Sequence, residues 1–283
     1  NGTDPRTGKR IGLETGDPAA FRSFDDLWHA YVTQVEYLAG LNILATHLAG
    51  EGQKRHGHCP LASSLLDDCI VRRRDLVFGG TRYNLPGIAI YGPSNVVDGL
   101  MAIRRWVCEE QRVTWAELHR ALVDDFEGHE PLRQLLAQRT PRFGNDIAEV
   151  DALANEINAV HADFCWKQVD SRNGRYTCGV WPVIGHVQAG HKTGATPDGR
   201  HAGMPLVDGV GACQGADLHG PVDELALAPG HVVRAARVGL PQVRRDRDEH
   251  LVGRHVHANL LAVREGEVHG LGHGEAGDVA ALP

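Results

Sequence analysis

No run of about 18 apolar residues, the least a membrane-crossing helix needs, occurs in these 283 residues. The first twenty residues are polar and lack an apolar signal core, so a cytoplasmic protein with no membrane contact is expected. An excess of basic charge is missing too: 29 Lys and Arg stand against 36 Asp and Glu, for a net charge of −7. A nucleic-acid surface works by neutralising phosphates, and small organic substrates or protein partners fit this balance better. The six cysteines, Cys59, Cys69, Cys108, Cys165, Cys178 and Cys213, include no C-x-x-C pair. That removes the zinc ribbon and the dense disulfide framework, and reduced thiols are expected. His56-Gly57-His58-Cys59 offers imidazole and thiolate, but no second pair follows at ligand spacing, so no metal is expected. There is no G-x-S-x-G elbow and no H-E-x-x-H helix. The stretch from Gly185 to Thr193 carries one residue too many before Lys192 for a phosphate loop, and Gly209 to Gly215 places its third glycine one position late for a dinucleotide fingerprint. No bound cofactor is expected from either.

What is present is a composition of 42% hydrophobic and 23% charged residues, that of a folded chain long enough for one large domain or two ordinary ones. Ser23 with Asp26 opens a run in which Phe24, Leu27, Trp28, Tyr31, Val35 and Leu38 recur at helical steps. Thr114 with Glu117 makes a capping box ahead of Trp115, Leu118 and Leu122. Asn95 or Ser94 starts a helix carrying Val97, Leu100, Met101 and Val107, and another begins near Asp146 and aligns Ile147, Val150, Leu153, Ala154, Ile157, Val160 and Phe164. Residues 79–95 and 175–190, rich in glycine, β-branched and aromatic residues, read as short buried strands. Helix alternating with strand is α/β character. Residues 194–200, GATPDGR, read as a surface hairpin or corner: Pro197 fixes one dihedral and Asp198-Gly199 supplies a position free to take positive φ. Asp67-Asp68 reads as one carboxylate that caps or salt-bridges and one that is solvated, because helix neighbours point apart. The clusters Arg72-Arg73-Arg74 and Arg104-Arg105 read as solvated helix surface.

Beyond residue 181 the character changes. All 16 Phe, Trp and Tyr residues lie in the first 181 positions, and lysine stops at Lys192. A core of normal density needs large side chains, so residues 222–283 are expected to form an atypical tail without a core of its own. Two explanations stay open, a natural low-aromatic tail, disordered or not, and a reading frame lost in a GC-rich gene; the second is favoured because the motifs described next stop abruptly.

Those motifs are NGTDPRTGKRIGLETGDP (1–18), FRSFDDLWHAYVTQ (21–34), CPLASSLLDDCI (59–70), GGTRYN (79–84), PRFGND (141–146), GVWPVIGHVQAGHKTGATPDGRHAGMPLVDG (179–209) and GADLHGP (215–221). In this order and spacing the chain resembles the glycyl radical enzymes, the family of pyruvate formate-lyase and its dehydratase, decarboxylase and lyase relatives. The resemblance implies that residues 1–221 are an internal fragment, helix-rich and incomplete, of a ten-stranded α/β barrel in a parent of about 800 residues. Two loops meet inside such a barrel, one with a cysteine in a Gly-Cys-x-Glu context and one with the radical-bearing glycine in an Arg-Val-x-Gly-Tyr/Phe context. Neither is present here: the first is expected before Asn1, and Arg237-Val238-Gly239-Leu240 lacks the spacing and the aromatic of the second. No catalytic residue is therefore expected on this chain.

The implied parent activity is radical cleavage of a C–C, C–O, C–N or C–S bond in a small polar organic substrate, of the formate acetyltransferase type or the dehydratase and lyase type. CGVWPVIGHV is closer to the second. The resemblance further implies a glycyl radical installed by a radical-SAM activating enzyme, a homodimeric parent, and a substrate pocket shaped by Tyr176, Trp181 and Val183, of which alternation puts the last two on one face. A rival reading is a non-catalytic truncated partner that docks with a complementary half of such an enzyme.

Overall fold

The computed structural model describes residues 2–4, 7–180 and 184–218. The atypical tail lies outside the described residues. In chain order the elements are α1 (Phe24–His56), α2 (Pro60–Ser64), β1 (Gly87–Ile90), α3 (Pro93–Ile103), α4 (Trp115–Val123), α5 (Glu130–Arg139), α6 (Ala148–Lys167), β2 (Thr177–Val180) and α7 (Gly185–Lys192). Among the described residues the strands form one parallel pair, in register from Gly87 opposite Thr177 to Ile90 opposite Val180. A parallel pair needs a long crossover, and α3 to α6 supply it.

The helix starts follow local chemistry. At α1 the Ser23 hydroxyl accepts from the Asp26 N–H at 3.3 Å, and the Asp26 carboxylate accepts from the Ser23 N–H at 3.1 Å. At α4 Thr114 and Glu117 repeat this reciprocal pattern at 3.2 and 2.8 Å. Each box satisfies backbone donors that a helix start leaves open. α3 begins at Pro93, just ahead of the expected Ser94 or Asn95, with Gly92 at φ +70° as its cap. Proline suits this place because its missing N–H has no partner to lose, and the side chains of Ser94 and Asn95 are thereby left for other duties.

The core is mainly helical. Ala102, Ile103, Trp106 and Val107 meet Leu118, Ala121, Phe126 and Leu136 from α4, α5 and the turn between them. Val97, Leu100 and Met101 of α3 meet Val150, Leu153, Ala154 and Ile157 of α6, with Phe24, Leu27, Trp28 and Tyr31 of α1 against them. Ile88 of β1, Cys178 of β2 and Tyr176 just before β2 pack with Ala162 and Cys165 of α6 and Ile43 of α1. Trp106 buries its ring N–H against the Thr140 hydroxyl at 2.9 Å, inside a π-helical turn at Arg104–Glu109 that continues α3.

Two expectations need correction. Within the segment read as strand, 175–190, residues 185–190 belong to the helix α7. The cause is tertiary: a Cβ on Gly190 would stand 2.3 Å from the Met204 carbonyl, so the small residues there let a helix lie directly on the following segment. The GATPDGR corner is indeed a turn, with Gly199 at φ +86° and its N–H donated to the Thr196 carbonyl at 3.0 Å. It is not on the surface. Asp198 is 3% exposed, and a Cβ on Gly199 would stand 2.7 Å from the Ala137 methyl.

Candidate functional site

Because β1 and β2 are parallel, their carboxyl ends emerge side by side, the end at which open α/β sheets hold ligands. From β1 the chain passes through Tyr91 and Gly92 into α3, and from β2 it reaches Ile184 and α7. Tyr91 and Ile184 are both exposed. The Tyr91 ring lies against Gly185 so closely that a Cβ there would be 2.9 Å away. In the first turn of α7, His186 Nδ1 stands 3.5 Å from the Asp208 carboxylate, and its carbonyl accepts from the Leu206 N–H at 3.3 Å.

Behind these ends a buried polar clamp ties α3 to three segments distant in sequence. Asn95 donates to Asp198 at 2.7 Å and to the Cys213 sulfur at 3.3 Å, while its carbonyl oxygen accepts from the Val207 N–H at 2.8 Å. Asp98, 1% exposed, accepts from Arg142 Nε at 3.0 Å and from the Phe143 N–H at 2.8 Å. Arg142 also reaches Asp198 at 4.0 Å and donates to the Ala137 carbonyl at 3.0 Å. Ser94 donates to the Gly211 carbonyl at 2.6 Å, and Asn145 donates to the Ala216 carbonyl at 2.9 Å. Arg200 holds the carbonyls of Gly194, His201 and Met204. Segment 193–218 contains no helix or strand beyond Thr193. Beside a few turn and backbone bonds, side chains tie it to the rest of the chain.

The electrostatics follow from burial. Loss of solvent pushes the Asp98 carboxyl up despite the opposing pull of Arg142. Burial also works against charge on Arg142, but Asp98 outweighs it and the guanidinium is held more firmly cationic. The Cys213 thiol is pushed far up, by burial first and by Asp98 and Asp198 next, so it acts as a neutral hydrogen-bond member. What the clamp does chemically is position backbone.

Of the residues expected at a pocket, Trp181 and Val183 lie outside the described residues. Tyr176 is completely buried in the core shared by β2, α6 and α1, its hydroxyl 3.4 Å from the Ile43 carbonyl. On this chain it packs behind the strand. Among the described residues no three His, Cys, Asp or Glu side chains gather as metal ligands; near His56 and His58, the Cys59 N–H is donated to Asp75 at 3.2 Å. Asp68 pairs with Arg72 and Arg82, while Asp67, mostly exposed, reaches Arg82 only at 3.6 Å; the two lie in a turn beyond α2, with Asp68 at φ +73°, and not on the helix expected. Sequence reasoning did not single out the clamp as a site, although PRFGND, GATPDGR and residues 215–218, GADL, each too polar or too glycine-rich for a core segment, are the stretches that converge on it.

Residues 1–190 match the family model described as pyruvate formate lyase-like. The chain is 33% identical over 221 residues to trans-4-hydroxy-L-proline dehydratase of Clostridioides difficile, covering 78% of this chain and 28% of that protein. It is 34% identical over 215 residues to isethionate sulfite-lyase of Oleidesulfovibrio alaskensis, covering 75% and 26%. The crystal structure of hydroxyproline dehydratase from Clostridioides difficile, with trans-4-hydroxy-L-proline bound, superposes with a TM-score of 0.77 at 33% identity, covering 79% of this chain and 28% of that one. The chain thus spans about 28% of the length of the relatives it matches.

Proposed function

The chain belongs to the pyruvate formate lyase-like family of glycyl radical enzymes, and on that premise we propose that it forms one wall of the reaction chamber of a dehydratase or lyase. Such an enzyme breaks a C–O, C–N, C–S or C–C bond in a small polar organic substrate. The observation that carries this reading is the convergence of the motif segments on one clamp behind two parallel strand ends. The named relatives, a dehydratase and a sulfite-lyase, favour this branch over formate acetyltransferase.

A glycyl radical supplies hydrogen-atom abstraction and must be kept from water and oxygen. The glycine and thiol loops of the family are not found in this sequence, so no bond-breaking step is assigned to its residues. Their part is enclosure and aim. The clamp fixes the segment behind the strand ends, Tyr176 holds β2 from the core side, and Trp181 and Val183 shape the pocket. The full chamber is a ten-stranded barrel in a homodimer, and a radical-SAM activating enzyme is its partner.

The test is to express the full reading frame taken from the genomic DNA around this coding segment and activate it anaerobically with S-adenosylmethionine and its activating enzyme. A doublet electron paramagnetic resonance signal, with turnover of a hydroxylated or sulfonated small substrate, is expected. A folded, anaerobically treated protein with no organic radical would overturn the proposal.

A further inference from the structure

At the strand ends one large side chain belongs to neither the clamp nor the core. In β1, Ile88 and Ile90 turn into the cluster shared with α6 and α1, so Gly87 and Ala89 fall on the other face of the sheet, and alternation carries that face on to Tyr91. The register sets Thr177 and Gly179 of β2 beside Gly87 and Ala89. Among the described residues, this face therefore holds nothing larger than threonine until Tyr91 closes it at the carboxyl end. Tyr91 is 39% exposed, and its hydroxyl has no hydrogen-bond partner among the described residues. The ring is placed from one side: a Cβ on Gly185 would stand 2.9 Å from Cε1, from Cζ and from the hydroxyl oxygen. Bare backbone at the start of α7 is what lets the phenol lie there.

We propose that Tyr91 is a substrate-binding residue whose phenol hydroxyl pairs with an alcohol group of a small hydroxylated substrate. The assignment deepens the function proposed above and rests on it: α1 and α6 cover one face of the sheet, so a chamber walled by this chain opens on the face that carries Tyr91. That is also the end of the strands at which α/β sheets hold ligands. An alcohol both donates and accepts, as a phenol does, so the two satisfy each other without a charged partner. Tyrosine has only two torsions to lose on engagement. The contact with Gly185 restrains them beforehand, which lowers the cost of binding. A site that bonds an alcohol discriminates against the analogue lacking it, because the hydroxyl left behind goes unpaired once water is excluded. Tyr91 thus sets specificity for the substrate's hydroxyl.

The full-length protein, expressed from the complete reading frame and kept unactivated, is titrated by calorimetry with two probes that each carry a single alcohol, trans-4-hydroxy-L-proline and 2-hydroxyethanesulfonate, and with their deoxy analogues L-proline and ethanesulfonate. Tyr91→Phe keeps the ring against Gly185 and removes only the hydroxyl. The expected result is an unchanged thermal midpoint, with the hydroxylated probe that binds the wild type held about three- to tenfold more weakly, the worth of one net hydrogen bond. Its deoxy analogue is expected to bind both proteins equally. A ring that serves packing alone predicts instead that Tyr91→Phe matches the wild type for every compound. That match, an equal loss for a probe and its analogue, or a wild type that binds neither probe would each overturn the proposal. The function proposed above fails separately: a wild type that shows this dependence on the Tyr91 hydroxyl yet forms no organic radical on activation would sink the radical chemistry and leave the binding role standing.

Discussion

The bundle of α4 and α5 and the segment 193–218 hold themselves by opposite means. In the first, Leu118, Ala121 and Leu136 are buried among other hydrocarbon groups, and the backbone bonds are repaid within each helix. In the second, helix ends at Lys192 and few backbone bonds follow, so Asn95, Asp198 and Arg200 bond the segment's backbone, and Ser94 and Asn145 hold its carbonyls at Gly211 and Ala216. Apolar packing tolerates partial loss, since neighbours relax into a cavity. A buried polar clamp does not, because removing one member strands a charge or a donor without solvent.

Arg142→Met should show this most strongly. It leaves the Asp98 carboxylate without its cation in a site closed to water, and a loss of about 3–5 kcal/mol is expected in urea or thermal unfolding. Leu136→Ala, at a site of comparable burial, should cost about 3 kcal/mol by cavity formation, with the amides of 196–213 still protected from exchange. Thr114→Ala removes only the cap of α4 and should cost about 1 kcal/mol. The smallest effect is a pH dependence. Burial disfavours charge on Asp170, but the N–H groups of Gly174 and Arg172 and the Arg172 guanidinium outweigh it and lower the carboxyl. A carboxyl lowered on folding stabilises above its unfolded value of about 3.9 and loses that contribution as pH falls through the folded value. Asp170→Asn should therefore flatten the acid limb of the stability curve, as measured by denaturant titration between pH 2 and pH 6.

The same contrast decides what could be read from sequence. Ser23 with Asp26 and Thr114 with Glu117 announce α1 and α4, because capping is settled within a few residues. The apolar stripe of α6 likewise foretells its buried face. The turn at 194–200 was legible as a turn, since Pro197 and Gly199 act locally, but its burial was not: that depends on Ala137 and Asn95, each far away in the chain. α5 went unread because EPLRQLLAQR contributes only Leu136 as a fully buried residue, and α7 was mistaken because its glycines serve a tertiary contact. The family motifs point to these segments, but a polar stretch gives no sign that its side chains turn inward.

The most direct measurement is hydrogen exchange on the full chain with Asn95→Ala, which removes the acceptor of the Val207 N–H and the donor to Asp198. If polar ties hold segment 193–218, its amides from 196 to 213 exchange at least tenfold faster while those of α4 and α5 keep their rates. Unchanged exchange across 196–213, or an equal rise throughout the chain, would contradict the account.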